Sequence, residues 1–240
     1  MIIENNITNT TPLVLHAQGV THFTNKWTNL VNKIVNIDLN TNIPDDLLII
    51  TFNANYIYSP LTIQLEKSNI PYINAAKNFS SSKKWENKYK IELTLDSIYD
   101  TDKKYILSLD ALDVVLSESF GNIIEEFNKF NVDLLFGASN NRFPPIETLK
   151  ELKDVTIGHP FLNAGTVIGT KDAFIKFYSK VNTIKDTELN GEWLNSEQHR
   201  IKVAAQSIEM SIDFDNESKI FQTVGGLNFN YLNNIVTISK

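Results

Sequence analysis

Tyr105-Ile106-Leu107-Ser108-Leu109-Asp110-Ala111-Leu112-Asp113-Val114-Val115-Leu116 is a run of strand-forming apolar residues broken by two carboxylates three positions apart. A buried strand could not carry such acids without strong compensation. The strand is therefore expected to end near Leu109, with Asp110 at its carboxyl tip and Asp113 in the following turn. In a continuous strand the two side chains would point to opposite faces, whereas a turn lets both carboxylates converge on one cation. Hard oxygen ligands of this kind suit Mg²⁺ or Mn²⁺ shared with a substrate phosphate. The same residues also fit an ordinary turn, where Asp is common.

Working outward, Leu47 to Phe52 reads as a central parallel strand and Asp133 to Ala138 as another. Thr51 and Phe52 fall at a carboxyl strand end, where open α/β sheets bind ligands. They are candidates for the nucleotide side, with Phe52 or Tyr56 either stacking on a base or packed in the core. Between the strands, helical spacing predicts helices over Thr24 to Val35, Leu61 to Ser68 and Trp85 to Tyr99, with a further apolar face through Phe120, Ile123, Ile124, Phe127 and Phe130. Pro71 to Ile73 reads as a short strand, completing a β-α-β order. Lys84, Lys88 and Lys90 read as a solvated helix face, one of which could reach a diphosphate.

His159-Pro160-Phe161-Leu162-Asn163-Ala164-Gly165 reads as a loop before a strand resumes. Gly165 permits close backbone approach and Asn163 offers donors and an acceptor, as a sugar-binding loop would need. Thr170 is positioned to cap a helix with Phe174, Phe177, Tyr178 and Val181 inside. Ser196-Glu197-Gln198 opens a last helix, where Glu197 also suits the helix dipole. Ile212 to Gln222 reads as strand, turn and strand, and a final strand is expected near Ile235 to Ile238. Ser139 to Pro145 is either a ligand cover or a rigid surface turn.

Composition narrows the function classes. The 240 residues suffice for one large α/β domain with a substantial core. A net charge of −6 argues against a broad nucleic-acid or anionic-membrane footprint. The chain has no cysteine, which excludes disulfides and thiolate metal sites. No stretch approaches a membrane span or a basic-flanked leader, and a soluble cytoplasmic protein is the expectation.

Leu109-Asp110-Ala111-Leu112-Asp113-Val114-Val115, Phe161-Leu162-Asn163-Ala164-Gly165, Ser196-Glu197-Gln198 and Lys219-Ile220-Phe221-Gln222 follow one another in an order that resembles the glycosyltransferase domain of procollagen lysyl hydroxylases and related collagen-type glycosyltransferases. The resemblance implies a GT-A fold, Rossmann-like, with a mainly parallel central sheet flanked by helices. It also implies a UDP-sugar donor and Mn²⁺, or alternatively Mg²⁺, bound by the two acids of an Asp-x-x-Asp motif and a histidine. Asp110 and Asp113 match those acids, Asn163 and Gly165 are expected beside the sugar, and Glu197 is the nearest counterpart of an acidic cluster that contacts sugar or assists the acceptor. Asp110 and Glu197 are thus the catalytic candidates.

In those domains the histidine follows the Ile-Phe-Gln motif, whereas residues 223–240 contain none. Thr11-Pro12-Leu13-Val14-Leu15-His16-Ala17-Gln18-Gly19 resembles the missing segment. The chain is therefore expected to be circularly permuted, with His16 as third metal ligand. The expected organisation is one domain over 1–240, in which 1–40 is the permuted segment, 45–135 the nucleotide half and 136–240 the sugar and acceptor half. A carboxylate and a larger aromatic of the family's acceptor loop are replaced by Ser139 and Phe143. The acceptor, a glycan, protein or small molecule, is left open. A non-catalytic nucleotide-sugar-binding protein and a metal-dependent phosphohydrolase are the alternative readings.

Overall fold

A computed structural model describes residues 2–36, 39, 43–54, 58–79, 83–117, 120–146, 157–189, 191–225 and 236–239. Tyr56 lies outside them. In chain order the elements are β1 (Ile2–Asn5), β2 (Val14–His16), α1 (Asn25–Ile34), β3 (Leu47–Thr51), α2 (Pro60–Lys67), β4 (Ile73–Asn74), α3 (Tyr89–Ile98), β5 (Tyr105–Leu109) and β6 (Val114–Leu116). They continue with α4 (Ile123–Asn128), β7 (Leu134–Ser139), β8 (Phe161–Thr170), α5 (Lys171–Thr183), α6 (Glu197–Ala205), β9 (Ile212–Phe214), β10 (Phe221–Thr223) and β11 (Val236–Ser239).

Six strands form the central sheet in the order β4-β3-β5-β8-β7-β9. β3 is parallel to β4 and β5, and β7 is parallel to β9, while β8 runs antiparallel to both its neighbours. The sheet is thus mainly parallel, as expected. Strand alternation sorts the apolar residues into two layers. Leu48, Ile50, Ile106 and Phe136 face the helices α3, α5 and α6 through Ile91, Phe174, Phe177 and Ile201. Leu47, Ile49, Leu107 and Leu135 face Leu61 and Leu65 of α2, Phe120, and Phe127 of α4. The expected helix through Phe130 is shorter, a 3-10 turn at Phe120–Asn122 followed by α4.

A second sheet, β10-β2-β6, carries the N-terminal histidine strand. β2 is parallel to β10 and antiparallel to β6, so His16 lies opposite both Thr223 and Val114. Leu15 turns to Trp27, Val31 and Ile34 of α1, and Val14 turns to the core beneath the central sheet. Gln64 of α2 closes the free edge of β6, donating to Leu116 O at 3.1 Å and accepting from Leu116 N at 2.8 Å.

One expectation is corrected here. Asn163 and Gly165 lie within the long strand β8, not in a loop before it. Pairing with β7 jumps from Phe136↔Val167 to Gly137↔Asn163, so β8 bulges over residues 164–166. The strand, turn and strand expected over Ile212 to Gln222 are present as β9 and β10, with β9 beside β7 in the central sheet and β10 beside β2 in the second.

Candidate functional site

The Asp110–Asp113 turn follows β5 and is pinned from three sides. Asp110 N donates to Gly165 O of β8 at 2.8 Å, and Ser59 Oγ, at the N-terminal cap of α2, donates to Ala111 O at 2.7 Å. Ala17 N, one residue past the histidine strand, donates to Asp113 O at 2.7 Å. Pairing of His16 with Val114 then sets the imidazole beside both acids. His16 Nε2 lies 3.5 Å from Asp113 Oδ2 and 3.9 Å from Asp110 Oδ2. One ligand atom from each of the three residues lies within 4.8 Å of the others.

The donors present fit a hard divalent cation: two carboxylates and an imidazole on one small volume. His16 Nδ1 is buried and has no hydrogen-bond partner among the described residues. Gly165 keeps this volume open, because a Cβ there would lie 2.8 Å from His16 Nε2 and 2.9 Å from Asp110 Oδ2. Burial opposes a charge on His16, but Asp113 and then Asp110 overcome it and raise the ring's pKa above 6.5. Burial likewise opposes the Asp113 carboxylate, which His16 nevertheless holds below the ordinary value.

The cluster opens into a cleft of about 720 Å³, within the range of small-molecule sites. Asn163, Gly165 and Glu197 line it together with the three cluster residues, as do Gln18, Lys90, Phe143 and Gln198. Asn163 Oδ1 accepts from Gly165 N at 2.9 Å, and its Nδ2 donates to Gln18 Oε1 at 2.7 Å. Gln198 joins two walls, accepting from Ala164 N at 2.9 Å and donating to Phe143 O at 2.7 Å. Phe143 meets Trp193 edge to face with centroids 4.8 Å apart. Thr51 and Phe52 are buried at the end of β3 and do not line this cleft.

Glu197 begins α6, whose cap is Ser196, its hydroxyl accepting from His199 N at 3.2 Å. Its carboxyl is buried, and that burial raises its pKa to about 7 against the opposing pull of Lys90. The lysine face is a further correction. Lys84 is exposed and Lys88 pairs with Glu86, but Lys90 is buried and ion-pairs with Asp110 Oδ1, lying 3.4 Å from Glu197 Oε2. Helical spacing from Thr94 and Ile98 puts Lys90 on the buried side of α3, a signal the sequence already carried. Gln18 and Gln198 were flanking residues of recognised stretches and had no separate signature.

The family described as the PLOD GT domain matches residues 82–235. That segment holds Asp110, Asp113, Asn163, Gly165 and Glu197 and leaves His16 outside. A search of curated proteins gave no match. Among solved structures the chain is similar to the 4-diphosphocytidyl-2C-methyl-D-erythritolsynthase of Anaerococcus prevotii DSM 20548, at 9% identity and a TM-score of 0.33, over 75% of this chain and 88% of that one.

Proposed function

Because the chain belongs to the PLOD GT-domain family of glycosyltransferases, we propose that it transfers a sugar from a UDP-sugar to a hydroxyl acceptor, using Mn²⁺ or Mg²⁺ held by Asp110, Asp113 and His16. The observation that carries this reading is the convergence of His16, from a distant part of the chain, with both acids of the turn. A bound divalent ion would supply charge neutralisation for the departing diphosphate.

The chain's own residues supply the rest. Asp110 and Asp113 are held by backbone bonds on three sides, so their carboxylates need little reorganisation to act together. Asn163 keeps the bulge of β8 in shape and, with Gly165, walls the sugar side. Glu197, with a pKa of about 7, is suited to accept a proton from an acceptor hydroxyl or to hold a sugar hydroxyl. The aromatic face of Phe143, backed by Trp193, suits the apolar face of a glycan acceptor at the cleft mouth.

Circular permutation belongs to the same reading. It is supported by the parallel pairing of β2 with β10, which sets the histidine strand beside the Ile220-Phe221-Gln222 stretch it follows in the relatives' order. It is supported also by the antiparallel pairing of β1 with β11, in which Ile2 lies opposite Ser239.

The test is UDP titration with Mn²⁺ and with a chelator. UDP is expected to bind in the presence of Mn²⁺, and Asp113→Asn to weaken that binding at least about tenfold while the fold is kept, as for loss of one ligand charge. UDP affinity independent of both metal and Asp113 would overturn the proposal.

A further inference from the structure

The buried face of α3 carries one cation among its apolar residues. Ile91, Thr94 and Ile98 line that face, and Lys90 beside them is only 8% exposed. Its ammonium stands 5.6 Å from the centroid of the Phe52 ring and reaches two carboxylates, Asp110 at Oδ1 and Glu197 at Oε2. Burial works against this charge, and Asp110 and then Glu197 more than restore it. An ammonium so enclosed is tolerable only while paired.

Asp110 is shared. Its Oδ1 takes the ammonium, while Oδ2 faces the imidazole of His16 and the open volume over Gly165. A divalent ion among His16, Asp110 and Asp113 would therefore bind a carboxylate already engaged by a positive charge, and like charges at that range in a poorly solvated site repel strongly. Glu197, close on the other side of the ammonium, offers it a second resting place.

We propose that Lys90 is the resident cation of this site and competes with a divalent metal for Asp110, so that metal binds weakly alone and the ammonium moves toward Glu197 as metal is taken up. The inference rests on the metal-site reading above. It makes metal loading depend on added negative charge, such as a nucleoside diphosphate brings. Lys90 is here a positioning residue whose effect is read in metal affinity, apart from turnover.

The experiment is calorimetric titration of Mn²⁺ into the nucleotide-free protein and its variants. Lys90→Met is expected to tighten Mn²⁺ binding about tenfold, a typical coupling between two sites. Lys90→Arg, which keeps the charge, should stay close to wild type. Lys90→Gln can still donate to Asp110 and Glu197, and it replaces Lys90→Met in the same comparison should the latter fail to fold. Neutral variants that bind Mn²⁺ no tighter than wild type, while Asp113→Asn still weakens binding, would overturn the competition and leave the metal site standing. Mn²⁺ binding indifferent to Asp113→Asn would overturn the metal site and this inference with it.

Discussion

His16 carries the pH dependence of the site. In the metal-free chain Asp113 and Asp110 raise its pKa above 6.5, so the charged ring stabilises the fold below about pH 6.5 and that contribution is lost as pH rises through the higher folded value. Metal needs the neutral ring. Mn²⁺-dependent UDP affinity should therefore rise as pH climbs above the ordinary histidine value of 6.5, with proton release on binding, and His16→Ala should flatten the profile. A pH-independent wild type would contradict the ligand role. At this scale the sequence was most legible where chemistry clashed with context: two acids breaking an apolar strand announced the turn. Lys90 was misread because lysine is usually solvated, and its two carboxylate partners come from β5's turn and α6, which no local pattern joins.

Elements were legible where periodicity is strong, as in β3, β5 and α5. They were less so where one residue holds two segments apart. Asp215 is such a residue. It follows β9 at the edge of the central sheet and is fully buried, accepting from Lys219 N at 2.9 Å, Ile220 N at 2.6 Å and Phe221 N at 2.7 Å. These bonds turn the chain out of one sheet and into the other, a change of sheet that the reading as strand, turn and strand did not contain. Asp215→Ala leaves two buried donors, Ile220 N and Phe221 N, and the part-buried Lys219 N without their acceptor and is expected to cost about 2 kcal/mol or more, seen as a lower denaturant midpoint. A loss below about 0.5 kcal/mol would mean the turn holds without it. The bulge in β8 was likewise invisible, because Asn163-Ala164-Gly165 has the composition of a loop and becomes strand only through the pairing of Asn163 with Gly137 and the bond from Asp110 N to Gly165 O.

The layered α/β architecture followed from alternating apolar strands and helices, while the second sheet did not, since its three strands lie far apart in sequence and meet only in the fold. That sheet is also where the proposed permutation can be tested. A chain cut after Asn40, with its first forty residues joined through a flexible linker behind Lys240, should fold and keep Mn²⁺-dependent UDP binding within about tenfold, because β1 and β11 already lie side by side. Loss of both fold and binding would contradict it. Among the described residues no helix is long and apolar enough to cross a membrane.

The central claim, metal-assisted transfer from a UDP-sugar, is tested most directly by measuring UDP release from a panel of UDP-sugars with Mn²⁺ and with a chelator, using Asp113→Asn beside the wild type. The account predicts UDP release from at least one donor, stimulated by a hydroxyl acceptor, dependent on Mn²⁺ and lost in Asp113→Asn. Metal-dependent UDP binding with no release from any donor, or phosphate release from simple phosphoesters without nucleotide dependence, would contradict it.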